Sequence, residues 1–177
     1  DLSQPLGIRD RALLELLYAS GIRLAELHAL DIHDVGLEIG EMRVMGKGSK
    51  ERVALLGKPA VESLMAYLQS ARPTLGNNAS EALFLNRYGG RLSRRSIEKI
   101  VGKYALLAST RPGVHPHTLR HTFATHLMEG GADLRVVQEL LGHSSPATTQ
   151  IYTHVTQVEA RAEYMTTHPR ARLQKGE

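Results

Sequence analysis

Over most of the 177 residues, apolar side chains recur at helical spacing, and one short stretch reads as strands instead. Between Ile8 and Ser20, Leu13, Leu14, Leu17 and Tyr18 form a helical face that Gly21 ends. Arg23 follows, and Leu24, Leu27 and Leu30 predict a second short helix. Glu41 to Met45 and Glu51 to Leu56 read as two strands around Gly46-Lys47-Gly48-Ser49-Lys50, a β-hairpin with a cationic tip. Pro59 to Ala71 predicts a helix with Val61, Leu64, Met65 and Leu68 turned inward, and Leu83-Phe84-Leu85 a short buried extended piece. Ser93 is placed to cap a helix running through Leu107.

The segment from His115 to His154 is the richest in chemistry. Thr118 is the expected N-cap of a helix whose stripe of Leu119, Phe123 and Leu127 stops at Gly130-Gly131. Arg120 falls on or beside that buried stripe, where a guanidinium is costly unless it meets an anion, and His117 lies one turn away on the same side. Asp133 caps the next helix, with Leu134, Val137, Leu140 and Leu141 on one face and Gly142 closing it. His143 therefore sits on a turn. Ser145-Pro146 restarts a short helix that carries Tyr152 near its far end. Thr156 to Tyr164 predicts a last helix, and THPRARLQKGE a polar tail.

The fold class that results is α+β and mainly helical, with a small antiparallel hairpin at one edge, in a chain long enough to bury a core as one domain. Composition narrows the chemistry. With no cysteine, disulfides, thiolate zinc sites and cysteine nucleophiles are excluded. No apolar run approaches the roughly 18 to 20 residues of a membrane span, so a cytoplasmic protein with no membrane partner is the expectation. A net charge of +4 permits a nucleic-acid partner without demanding one. Lys50, Arg91, Arg94, Arg95 and Lys99, with Lys103, read equally as solvated cations or as a surface laid against DNA phosphates, where the cationic side chains and free amides of a helix start both suit an anion.

Leu141-Gly142-His143, followed by Tyr152 and preceded by the His-x-x-Arg of His117 and Arg120, resembles the signature of the tyrosine recombinases. HPHTLRHTFATHL and LGHSSPATTQIYTH resemble the bacterial Xer type in particular. SGIRLAEL resembles the family's first arginine motif, in which the arginine, here Arg23, binds the scissile phosphate and Glu26 helps hold the local fold. From spacing alone that pair would be a surface salt bridge worth under about 1 kcal/mol. MGKGSKERVALL is similar to the family's lysine hairpin, which makes Lys47 the group that protonates the leaving oxygen.

The resemblance implies the tyrosine recombinase catalytic-domain fold over residues 1–177, with the family's N-terminal core-binding domain absent from this chain. It implies a nucleoid-associated enzyme, a site-specific recombinase or integrase that cleaves and rejoins double-stranded DNA through a 3′-phosphotyrosine on Tyr152. Arg23 and Arg120 would grip the phosphate, His143 would donate to it, and His117 would accept the phenol proton or orient the phosphate. No metal or other cofactor is expected, because the arginines neutralise charge where a magnesium ion otherwise would. The expected partners are DNA and further protomers of a tetrameric synapse, with exchange of the C-terminal tail between them. Two alternatives stand beside this one: a DNA-binding relative without the chemistry, and a metal hydrolase using His117 and His121, which would lack an acidic third ligand and leave both arginines unexplained.

Overall fold

A computed structural model of the chain describes residues 1–46, 51–76, 80–108, 114–142 and 154–172. The first helix, α1 (Pro5–Ser20), begins with a proline in its first turn and ends where Gly21 takes a φ of 59°. A side chain at Gly21 would do more than strain the backbone: a Cβ there would lie 2.4 Å from the Phe123 ring. The end of α1 is thereby pressed against the helix that carries Arg120. Leu13, Leu16 and Leu17 of α1 are fully buried, each contributing roughly 1.5–3 kcal/mol on transfer from water.

Helix α2 (Leu24–Ala29) follows, then a three-stranded antiparallel sheet of order β1 (Val35–Gly36), β2 (Glu41–Met45) and β3 (Glu51–Leu55). The sequence pattern did not reveal the two-residue strand β1. In the β2–β3 register Val44 pairs with Arg52 and Met45 with Glu51, while Met42 and Val44 turn inward. The helix expected over Pro59 to Ala71 is α3 (Lys58–Ala66), continued by a π-helical turn over Tyr67–Ala71 and by α4 (Arg72–Leu75). Its buried face is Ala60, Ser63, Leu64, Tyr67 and Ala71, and Met65, one residue off that face, is 40% exposed and not inward as expected. Leu83, Phe84 and Leu85 are buried in an extended stretch bridged to Asp31 and Arg91.

Helix α5 (Arg94–Leu107) starts at Ser93, whose Oγ accepts from the Ser96 amide at 3.2 Å. Helix α6 (Pro116–Glu129) starts earlier than Thr118: His115 is the cap residue, and Thr118 is the third helical residue, its Oγ1 accepting from the His115 amide at 3.1 Å. In α7 (Leu134–Leu140), Asp133 caps as expected, and Val137, Leu140 and Leu141 are buried. Leu134, in the unpacked first turn, is 57% exposed and does not share that face.

The last helix runs further than the pattern suggested, α8 (His154–Thr167), and is followed by α9 (Pro169–Arg172). Part of the expected polar tail is therefore interior, since His168 and Ala171 are buried against the protein's own core. Tyr164 anchors α8 by donating to the Ala19 carbonyl at 2.9 Å, and Arg161 pairs with Glu41 at 2.5 Å.

Two hydrophobic clusters result. One joins α1, α2, the sheet, α3, the Leu83–Leu92 stretch and α5; the other joins Phe123 and Leu127 to Val137, Leu140, Tyr164 and Ala171. β3 belongs to both, with Ala54 in the first and Leu55 in the second. The candidate site falls on that seam.

Candidate functional site

Arg23 is the residue at which α2 begins, and Glu26 reaches back to it. The Glu26 carboxylate accepts from the Arg23 amide at 2.7 Å and from the Arg23 guanidinium at 3.1 Å. It also accepts from Nη2 of Arg52 at 2.9 Å. The Glu26 side chain is only 4% exposed, so the pair with Arg23 is not the surface salt bridge that spacing alone suggested. It is a buried anion holding two cations.

Arg120 comes from α6 and donates to two main-chain carbonyls, that of Gly21 and, at 2.7 Å, that of Leu141. These are the ends of α1 and α7, where helix carbonyls lack partners within the helix and carry partial negative charge. Arg52 caps the same end of α7, donating from Nη1 to the Leu140 carbonyl at 2.9 Å. Gly142 closes over it with a φ of 67°, and a Cβ at that position would lie 2.6 Å from Nε of Arg52. Both glycine turns are thus stapled by guanidinium groups.

Charge is not balanced here. Burial first, and then the neighbouring Arg23 and Arg52, pull the Arg120 guanidinium down to about 10, against the opposing pull of Glu26. It remains protonated at neutral pH, and its depressed value records burial first and the like charges of Arg23 and Arg52 second. The Arg23 side chain stays 35% exposed, so the cluster is open to an outside ligand. Among the described residues, one carboxylate stands beside three guanidinium groups there.

The structure brings Arg23 and Arg120 together. His117 stands one turn before Arg120 on α6 and is exposed. Lys47, Lys50, His143 and Tyr152 lie outside the described residues. In sequence they adjoin described parts of the site: Lys47 and Lys50 join β2 to β3, His143 follows Gly142, and Tyr152 precedes α8 by two residues.

The basic residues of the surface divide. Arg91 is held by the protein's own groups, paired with Asp31 and donating to the His28 carbonyl at 2.8 Å and the Leu30 carbonyl at 3.0 Å, with its side chain still 35% exposed. Arg94, Arg95 and Lys99 are exposed along the first turns of α5. Arg52 is the site residue that sequence reasoning missed; its only local signal was a cation at the foot of the hairpin. A cleft of about 550 Å³ between α1 and α5, lined by Leu14, Tyr18, Val101, Tyr104 and Leu119, includes none of Arg23, Arg52 and Arg120.

Among the described residues, the groups close enough to share a metal ion are Asp31, His33 and Asp34, not the histidines of α6. His126 is bound instead to the Tyr18 hydroxyl at 2.7 Å. Among the described residues no helix is long and apolar enough to cross a membrane.

These features have a family. The chain belongs to the phage integrase family, whose model matches residues 1–159. Its fold is the catalytic-domain fold of the tyrosine recombinases. It is 52% identical over 172 residues to tyrosine recombinase XerD of Staphylococcus epidermidis, covering 97% of this chain and 58% of that protein. Tyrosine recombinase XerC of Pelotomaculum thermopropionicum is 52% identical over 177 residues, with the same two coverages. The chain therefore spans somewhat more than half the length of the curated relatives it matches.

Among solved structures, XerA recombinase superposes with a TM-score of 0.73 at 34% identity, covering 92% of this chain and 59% of that one. The XerH site-specific recombinase bound to its difH substrate, in a pre-cleavage complex, gives 0.71 at 34% identity, covering 89% and 47%.

Proposed function

We propose that this chain is the DNA-cleaving part of a site-specific recombinase, which breaks and rejoins strands through a 3′-phosphotyrosine on Tyr152. The observation that carries the reading is the gathering of Arg23 and Arg52 on the single carboxylate of Glu26, with Arg120 beside them on two main-chain carbonyls. A phosphodiester offers the missing negative charge, and it offers more as the reaction proceeds.

A tyrosine hydroxyl with an ordinary pKa of about 10 is a poor nucleophile at neutral pH, so attack needs a strongly positive setting or a base. The Tyr152 oxygen bonds to phosphorus, its proton passing to His117 or to solvent, while the bond to the 5′ oxygen breaks. Lys47 gives that oxygen a proton. Charge rises on the non-bridging oxygens in the pentacoordinate state, and the fixed donors of Arg23 and Arg120, with His143, stabilise that state more than the ground state. Attack of a 5′-hydroxyl on the phosphotyrosine reverses the step and restores Tyr152, with one phosphodiester replacing another and no nucleotide consumed. The guanidinium groups supply the charge neutralisation that a metal ion supplies in other phosphoryl-transfer sites.

The similarity to a recombinase held on its DNA substrate supports double-stranded DNA as the partner; on this reading several protomers join on it, because exchanging strands between two duplexes takes more than one. Lys50, Arg94, Arg95 and Lys99 are read as phosphate contacts outside the reacting centre. On this reading the protein works in the cytoplasm, on the nucleoid.

The test is covalent capture from a library of duplexes with a nick and randomised flanking sequence, in which the short 5′ product diffuses away and traps the adduct. The chain should yield a DNA adduct that survives denaturing detergent and excess EDTA, and Tyr152→Phe should yield none while still binding. Binding without any adduct from the unaltered chain would leave a DNA-binding relative, and an adduct from the phenylalanine variant would remove Tyr152 from the reaction.

A further inference from the structure

Arg23 and Arg120 reach the site from opposite sides of the seam between the two hydrophobic clusters, and no bond joins them directly. Both are nevertheless tied to one residue. Arg52 holds Glu26 through Nη2 at 2.9 Å, and Glu26 holds both the amide and the guanidinium of Arg23. Through Nη1, also at 2.9 Å, Arg52 holds the Leu140 carbonyl, next to the Leu141 carbonyl that Arg120 holds at 2.7 Å. The chain of contacts runs Arg23, Glu26, Arg52, the end of α7, Arg120.

Arg52 is suited to that place. Its side chain is 11% exposed, and it stands on a strand whose register with β2 is fixed by five consecutive residue pairs. Gly142 packs on its Cδ and Nε so closely that a methyl group at that position would force one of them to shift. The planar fork of a guanidinium directs separate donors to a carboxylate and a carbonyl at once, which the single ammonium of lysine does not reproduce.

We propose that Arg52 is a positioning residue for the strand-cleavage step, setting the spacing between the two phosphate-binding guanidinium groups from a place behind them. The inference rests on the recombinase reading given above and goes beyond it. Arg52 itself does not touch the phosphate; it decides how well Arg23 and Arg120 do.

The experiment compares the unaltered chain with Arg52→Lys and Arg52→Met on a captured nicked duplex, measuring affinity, melting temperature and the rate of adduct formation at saturating DNA. A matching duplex carries a methylphosphonate at the scissile position, whose missing charge leaves less for the clamp to neutralise. Both variants should bind DNA within about threefold of the unaltered chain, since the outer cationic contacts remain. On the phosphodiester the rate at saturation should fall about a hundredfold, as expected for a clamp displaced by around 1 Å. On the methylphosphonate that loss should shrink at least tenfold.

Equal losses on the two substrates, a loss confined to DNA affinity, or an unaltered rate in Arg52→Lys would each overturn the proposal. If Arg52→Met does not fold, Arg52→Lys, which keeps the charge and loses the fork, gives the same readout alone. Failure of the unaltered chain to form an adduct would instead remove the recombinase reading, and this inference with it.

Discussion

Arginines enter the interior of this protein in two ways, and the contrast separates architecture from chemistry. Arg9, 7% exposed near the start of α1, donates to one oxygen of the neighbouring Asp10 at 2.6 and 3.0 Å and to the Leu85 carbonyl at 3.1 Å. One cation meets one carboxylate, to which the Tyr104 hydroxyl is also hydrogen-bonded. At the seam, Arg23 and Arg52 share Glu26, while Arg120 beside them is bound to two main-chain carbonyls and is held down first by burial and then by its like-charged neighbours. Buried guanidinium groups are therefore no sign of function in themselves. The sign is a group of them left short of anions, beside a route to solvent.

Substituting Arg120 by alanine should give the largest effect. Loss of one preorganised donor to the reacting phosphate lowers the rate by about a hundredfold to a thousandfold. Arg9→Met should act the other way round, lowering stability by about 3–5 kcal/mol because the buried Asp10 loses its cation, while the folded fraction cleaves at the normal rate. Adduct kinetics with chemical denaturation on the same two variants test the contrast. An Arg9 variant of full stability that no longer cleaves would abolish it.

Glu26→Gln sharpens the point from the anion's side. Removing the carboxylate takes from Arg23 and Arg52 the buried anion they share and should cost about 3–5 kcal/mol, measured by denaturant unfolding. Sulfate, compared with chloride at equal ionic strength, should restore more stability to this variant than it adds to the unaltered chain, because a bound anion stabilises only the folded state. Equal sulfate effects in the two proteins would mean that the cluster does not collect anions.

A third way of treating a cation is to keep it neutral. His168 has no exposed surface, packs against Tyr164, Phe123 and Tyr18, and uses Nδ1 to accept from the Arg170 amide at 3.2 Å. Burial, and next the nearby His126, pushes its pKa down to about 4 from the usual 6.5. The unfolded chain then binds the extra proton first, so stability is complete above about pH 6.5 and is lost as pH falls toward 4. The slope is at most about 1.4 kcal/mol per pH unit from this residue, about 3 kcal/mol in all. Unfolding curves between pH 7 and 4 should show the decline, and His168→Phe should flatten it. An unchanged slope in that variant would place the titrating group elsewhere.

Much of this architecture was legible in the pattern of apolar positions. The spacing of Leu13 and Leu17, the cap at Ser93 and the glycine stops at Gly21, Gly130-Gly131 and Gly142 all correspond to observed elements. Arg120 could be placed against the interior because helix period alone fixes its direction. What periodicity does not carry is pairing across the fold. The partners of Arg52 lie 26 residues before it and 88 after it, and Asp31 lies 60 residues before Arg91, so neither contact leaves a local trace. His168 shows the same limit: a histidine beside a proline in a polar run reads as tail, and only the aromatic cage around it makes it core. Lys47, His143 and Tyr152 were singled out by motif and lie outside the described residues, so their roles rest on the capture experiment.

The same contrast extends to the surface, where the smallest effect is expected. Arg91 is held by Asp31 and two carbonyls, whereas Arg94 and Arg95 are exposed at the start of α5, where the free amides of a helix also favour phosphate. Changing Arg94 and Arg95 to glutamine should weaken DNA binding by a similar factor on every duplex tested. It should also reduce the slope of log affinity against log salt by about one for each phosphate no longer neutralised. Arg91→Gln should leave that slope unchanged and lower the melting temperature, because its removal takes a donor from the Asp31 carboxylate and from the His28 carbonyl. A titration series across salt concentrations distinguishes the two. If Arg91→Gln alone flattens the slope, the ion pair with Asp31 opens on DNA, and the division between inward and outward arginines holds only for the free protein.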